Sequence, residues 1–311
     1  MEPVMYDVAQ PLLKSCRKAL NRIGIAMALA FAISQGAALG LAYWLRQIAP
    51  ASLDNPWVNL GVGLLPIYLL GMPVAVLIMR KMPAAYPLET RRIGFGATAA
   101  FVMVIYALFL ASQTLTLSAM EGLKQLTNRD YVNALSEVLE TPTLATFLMV
   151  GILGPILEEL LCRGFILRRL LPYGRVFAIV ASAAIFSLFH GSLFQMAYAF
   201  AVGLALGYIT VRTGSLVHAV LMHVWFNTYS TFLNFMLTKN EMVATAASAV
   251  AMAAALGGVI VLLVKRKTIA YHLRPAPVEA GRTLLQVIKS PCMWFYALLC
   301  IGTGVYFLSY G

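Results

Sequence analysis

Two adjacent acidic residues, Glu158 and Glu159, stand inside a long apolar stretch of this sequence. The other ten of its twelve acids fall in predicted loops or tails. If the apolar runs cross a membrane, each buried charge costs about 3 kcal/mol on insertion scales, so such groups are functional candidates. Three of the four histidines also lie in apolar runs, namely His190, His218 and His223.

Helical spacing separates the roles of the two acids. Glu159 and Arg163 are four residues apart with the acid first, the better order for an ion pair, so we expect Arg163 to keep Glu159 ionised. Glu158 points about 100° away and has no partner in its own helix. An unpartnered carboxylate in a low-dielectric site can serve as a general base or acid. The alternative is a buried polar cluster that only packs helices together.

A second group of polar residues follows on later apolar runs. His223 and Asn227 are four residues apart and share a helix face. Both can donate hydrogen bonds, so they could hold an oxyanion as it forms on a carbonyl group; either could instead help to bind a metal. His190 completes the set of candidates. His218 faces elsewhere, and we expect it to border the cavity or a helix interface.

The composition defines the elements that must position these residues. The chain has 311 residues, of which 61% are apolar and only 11% charged, and soluble domains are about half apolar and a quarter charged. This excludes a soluble enzyme, a disordered chain and a disulfide scaffold. At about 20 residues per span, we predict a single all-α transmembrane bundle over residues 1–311 with about eight or nine spans: 23–45, 57–79, 95–118, 143–165, 176–193, 194–211, 214–237, 242–264 and 291–309.

The basic residues predict the orientation of the bundle. With a cytoplasmic N-terminus, 18 of the 23 Lys and Arg residues fall in cytoplasmic segments and 4 in external ones, as the positive-inside rule requires. The net charge of +11 therefore reflects topology, and no nucleic-acid partner is expected. Residues 1–22 are predicted to be an amphipathic segment on the cytoplasmic surface, and residues 265–290 a cytoplasmic loop.

Three motifs occur in order in the predicted spans: Glu158-Glu159-x-x-x-Arg163, Phe186-x-x-x-His190 and His223-x-x-x-Asn227. They resemble the motifs of the CAAX protease and bacteriocin-processing family, which includes the Rce1-type prenyl endopeptidases. The resemblance covers residues 143–237. It implies intramembrane hydrolysis of a peptide bond in a membrane-associated, prenylated or leader-type peptide. Glu158 and His190 would activate water, and His223 and Asn227 would form the oxyanion hole.

The sequence leaves three questions open. One is whether the reaction needs a metal ion. Because no zinc motif of the HExxH type is present, a metal-free reaction without a cofactor is favoured. Glu158, His190 and His223 could nevertheless compose a zinc site. Another is the class of protein, because buried Glu and His residues also build proton-coupled transporters, and a family member can act as an immunity or scaffold protein. The third is the depth of the candidate residues in the membrane, because the predicted span boundaries place Glu158 and His190 at different levels. We expect the motifs to converge in the cytoplasmic half of a multi-pass protein of the bacterial plasma membrane.

Overall fold

Ten helices make up the regular structure of the described part of the chain, which contains no strand. The computed structural model describes residues 3–85, 90–131, 133, 143–273 and 280–309. The predicted all-α polytopic fold is confirmed. We number the helices α1 (Pro3–Ile48), α2 (Pro56–Met79), α3 (Phe95–Thr127), α4 (Leu144–Tyr173), α5 (Arg175–Phe189), α6 (Leu193–Thr213), α7 (Leu216–Lys239), α8 (Glu241–His272), α9 (Ala280–Ile288) and α10 (Pro291–Ser309).

Seven of the described helices are long and apolar enough to cross a membrane: α1, α2, α3, α4, α6, α8 and α10. Each of the nine predicted spans coincides with a helix, and all of these helices except α5 and α7 meet this criterion. Helix α5 has only 15 residues, or about 22 Å at 1.5 Å per residue. Helix α7 has 24 residues but carries many polar side chains. These two helices bear His190, His223 and Asn227.

Two connecting segments differ from their predicted form. Residues 3–22 and the first predicted span form one continuous helix, α1, so the amphipathic segment expected at residues 1–22 is not a separate element. The predicted loop 265–290 is largely helical, because residues 265–272 continue α8 and Ala280–Ile288 form α9. Pro275 and Pro277 lie outside the described residues. The orientation of the chain across the membrane stays a prediction.

The buried side chains form two main clusters that divide the bundle. One joins α1, α2, α4, α5 and α10 around fully buried residues such as Leu20, Met27 and Tyr296. The other joins α3, α6, α7 and α8 around Leu206 and Phe226. Polar side chains from both halves meet between these clusters, so the fold places its internal polar groups where the two halves of the bundle join.

Helices α3 and α8 approach so closely at Gly258 that a larger residue should destabilise the bundle. A Cβ atom at Gly258 would collide with the main-chain carbonyl oxygen of Met103. We expect Gly258→Ala to cost about 1–3 kcal/mol of unfolding free energy, because the backbones must separate. Thermal unfolding in detergent measures this. Gly36→Ala is the matched control, because nothing lies within 4 Å of that position; equal unfolding temperatures for the two variants would contradict the prediction.

Candidate active site

Helix α4 is irregular on both sides of the two glutamates. A short α-helical segment, Gly154–Glu159, is flanked by π-helical segments at Phe147–Leu153 and Leu160–Leu167. π-Helical turns are rare and often occur at functional sites. Pro155 lacks an N–H group, so the carbonyl of Gly151, four residues earlier, loses its usual partner. The distortion therefore leaves main-chain acceptors available next to the acids.

Helix α7 supplies side-chain donors to two carbonyl groups of this distorted segment. Asn227 Nδ2 donates to the carbonyl oxygen of Val150 at 3.1 Å, and Thr228 Oγ1 donates to that of Gly151 at 3.2 Å. The absence of a side chain at Gly151 permits this approach, because a Cβ there would lie 3.3 Å from Thr228 Oγ1. These bonds fix α7 against α4, and they place His223, one turn before Asn227, beside the two glutamates.

Glu159 and Arg163 form the ion pair that their spacing predicts. Arg163 Nη1 donates to Glu159 Oε1 at 2.7 Å, and both side chains are completely buried. The guanidinium group also donates from Nη2 to the carbonyl oxygen of Gly203 at 2.9 Å, and it lies over the ring of Phe186 at 4.7 Å. Arg163 therefore links α4 to α5 and α6, in addition to neutralising Glu159.

His223 lies between the two glutamates, a contact that the sequence did not predict. Its Nδ1 is 3.0 Å from Glu159 Oε1, and its Nε2 is 3.8 Å from Glu158 Oε2. Because an ionised carboxylate only accepts hydrogen bonds, the Nδ1 atom carries a proton when Glu159 is ionised by Arg163. Glu159 thus orients the ring so that Nε2 faces Glu158.

His190 lies at the end of α5, where the chain turns sharply. Gly191 follows it with a φ of +59°, a left-handed conformation that glycine adopts without strain. His190 Nδ1 is 2.9 Å from the carbonyl oxygen of Phe186. Since a carbonyl oxygen only accepts, Nδ1 is the donor in this bond, and in the neutral ring Nε2 is then a free acceptor.

The candidate residues converge on one cavity of about 520 Å³ between the two halves of the bundle. Its lining includes Glu158, His190, His223 and Asn227. The predicted span boundaries placed Glu158 and His190 at different depths, but α4 continues to Tyr173 and α5 begins directly after Gly174. Both residues are sixteen positions from Gly174, or about 24 Å along their helices, so the antiparallel pair brings them to the same level.

The structure adds polar residues that the motifs did not identify. Tyr68, Gln113, Tyr198 and Asn234 also line the cavity, and Gln113 Oε1 is buried without a hydrogen-bond partner in the described part of the chain. Like Glu158 and Glu159, these residues could have been found in the sequence as polar side chains within predicted spans. His218 is not among the described residues that line the cavity; its Nδ1 is buried without a hydrogen-bond partner there.

The candidate zinc ligands do not form a ligand set in the described residues. No group of three His, Cys, Asp or Glu side chains there is arranged to hold a metal ion. His223 Nδ1 is occupied by Glu159, so only its Nε2, which lies 3.8 Å from Glu158 Oε2, remains as a possible ligand atom.

Comparison with protein-family models gives one match. Residues 140–229 match the model described as Rce1-like, type II CAAX prenyl endopeptidase. This stretch contains all seven motif residues from Glu158 to Asn227, so the resemblance of the motifs is confirmed. Comparisons with curated proteins and with solved structures found no match. Together with the seven long apolar helices, the match identifies an integral membrane protein.

Proposed function

We propose that this chain, which is similar over residues 140–229 to Rce1-like prenyl endopeptidases, hydrolyses a peptide bond within the membrane. The observation that carries the proposal is the group formed by Glu158, Glu159, Arg163 and His223 at the wall of a cavity inside the bundle. Burying two carboxylates and an arginine among apolar helices is costly. A catalytic site is a physical reason to keep them there.

Glu158 is the proposed general base, assisted by His190. The Glu158 side chain is 23% exposed to the cavity and has no closer described charged partner than His223 Nε2 at 3.8 Å. His190 donates from Nδ1 to a carbonyl, so its Nε2 can accept a hydrogen bond from water. A water molecule held by these two groups would lose a proton to Glu158 as it attacks the scissile carbonyl. Glu158 would then return the proton to the leaving amine.

His223 and Asn227 are the proposed donors to the oxyanion. Because Nδ1 donates to Glu159, His223 Nε2 can donate to an oxyanion only when the ring carries both protons. Asn227 uses one N–H for the carbonyl of Val150, and an amide has a second N–H. Donors held rigidly in this way stabilise the charge that develops in the transition state.

The proposed substrate is a membrane-associated peptide. A cavity of about 520 Å³ is within the usual range of about 300–1,000 Å³ for ligand sites. Its lining mixes apolar side chains with amides such as Gln113 and Asn234, which can pair with a peptide backbone. Prenylated and leader-type peptides both have this mixed character. We place the enzyme in the bacterial plasma membrane, on the basis of the short loops between the spans.

Purified protein in liposomes distinguishes the protease from the alternatives. Mass spectrometry of a membrane-associated peptide library should show new peptide termini. Intact peptides together with proton or solute flux across the liposome would instead establish a transporter. Intact peptides without flux would favour an immunity or scaffold protein and contradict the proposal.

The reaction is expected to survive removal of metal ions. We expect chelator-washed protein to keep its turnover, because the proposed steps use only the side chains of Glu158, His190, His223 and Asn227. Metal analysis of the same active sample is the control that shows the wash was complete. If turnover disappears on washing and returns with stoichiometric zinc, the metal-free reaction is contradicted. The assignment as a protease would not be affected by that result.

A further inference from the structure

A second cavity, lined by other residues than the catalytic ones, lies on another part of the bundle. It is a groove of about 670 Å³ between α3, α5, α6 and α8, and none of the seven motif residues lines it. The groove and the catalytic cavity lie at opposite ends of the contact between α3 and α6. Its walls are formed mainly by apolar side chains, among them Phe101, Val104, Ile179, Leu204 and Leu262.

One end of this groove is strongly basic. It adjoins a smaller pocket of about 330 Å³ whose lining includes Arg175, Arg212 and His272. Arg175 begins α5, Arg212 lies in the last turn of α6 and His272 ends α8, so three helix termini bring these residues together. Tyr208, which lines both cavities, contacts His272 Nδ1 through its hydroxyl at 3.3 Å. No Asp or Glu is among the described lining residues of either cavity.

Three of the basic side chains at this end have no ion-pair partner in the described part of the protein. Among the described residues, no ion pair involves Arg175, Arg212 or Lys265, which lines the groove beside the pocket. The positive-inside rule explains why cations occur on this side of the bundle. It does not explain why they converge on one pocket at the end of an apolar groove.

We propose that this groove and its basic end bind one anionic phospholipid. An acyl chain would lie along the apolar walls, and the phosphate would accept hydrogen bonds from Arg175 and Arg212, since guanidinium groups match phosphate geometry. The basic end is on the predicted cytoplasmic side, where anionic lipids are concentrated. The lipid site does not depend on the proposed proteolysis, and its test uses binding alone.

Native mass spectrometry of the delipidated full chain in detergent tests the site. With dioleoyl phosphatidylglycerol as the probe, we expect one tightly bound lipid, and Arg175→Gln/Arg212→Gln should weaken its binding about tenfold or more, because two charge-assisted contacts are lost. Arg80→Gln/Lys81→Gln is the matched control. It removes two exposed cations from the same predicted side, and its binding should stay within about twofold of the original. An equal loss of lipid binding in the two double variants would overturn the proposal.

Further binding measurements test the chemical class of the lipid and the part that the groove plays in binding it. Dioleoyl phosphatidylcholine should bind about tenfold more weakly than phosphatidylglycerol, and glycerol phosphate should not compete, because binding needs both the anionic head and the chain. Ala100→Phe, which narrows the groove, should also release the lipid. Equal binding of phosphatidylcholine, competition by glycerol phosphate, or full binding by Ala100→Phe would each overturn the proposal. The first two measurements use the unaltered protein, so they remain decisive even if a variant does not fold.

Discussion

Glu158→Gln should abolish peptide cleavage by the purified protein while leaving its fold intact. The substitution keeps the size of the side chain and removes only the group that accepts the proton from water. General base catalysis contributes about 10²–10⁴-fold to the reaction rate, so turnover should fall by at least about 10²-fold. The fold should survive because Glu158 is partly exposed to the cavity and its nearest described charged partner is 3.8 Å away. Turnover and thermal unfolding are measured on the same preparation.

The matched control for this change is Glu241→Gln, the same replacement at an exposed acid in the first turn of α8. It should retain full turnover because Glu241 does not line the cavity. Full turnover in Glu158→Gln, or equal loss in both variants, would contradict the assignment of Glu158 as the base. A loss of turnover in Glu158→Gln that coincides with unfolding would be resolved by Glu158→Asp, which keeps the carboxylate and should regain part of the activity.

Arg163→Met should destabilise the protein by about 3–5 kcal/mol, the cost of breaking a buried ion pair by removing one partner. The Glu159 carboxyl group would lose its ion-pair partner while completely buried, and its Oε2 atom already lacks a hydrogen-bond partner in the described residues. The variant also loses the bond to the carbonyl of Gly203. Thermal unfolding in detergent measures the loss. Arg168→Met, at a half-exposed arginine on the same helix, should change stability by less than about 1 kcal/mol.

Replacing both residues of the Glu159–Arg163 ion pair separates its effect on stability from its effect on turnover. Glu159→Leu/Arg163→Met should recover much of the lost stability, because replacing a buried ion pair with apolar groups leaves no uncompensated charge. Turnover should remain low, because His223 Nδ1 loses the acceptor that orients its ring. Recovery of turnover together with stability would show that Glu159 does not position His223. Unchanged stability in Arg163→Met would contradict the structural role of the pair.

Much of the architecture and of the candidate site could be predicted from the sequence. The apolar runs coincide with nine of the ten described helices. The scarcity of internal charges then singled out Glu158 and Glu159. Helical spacing predicted the ion pair between Glu159 and Arg163, a contact within one helix that local geometry determines.

Contacts between helices were not predictable in the same way. The hydrogen bond from His223 to Glu159 joins residues 64 positions apart, and it depends on the distortion of α4 around Pro155 and on the donors of α7. The equal level of Glu158 and His190 depends on the turn at Gly174, which the predicted span boundaries missed. The charged groups around Arg175 and Arg212 were assigned to topology alone, since sequence does not show that helix ends meet at one groove.

The most direct test of the central claim compares the peptides of membranes that carry either the original protein or Glu158→Gln at equal abundance. If the chain is an intramembrane endopeptidase with Glu158 as its base, membranes with the original protein should contain cleaved peptides whose uncleaved precursors accumulate with the variant. Identical peptide sets from the two membranes, with both proteins folded and equally abundant, would contradict the account.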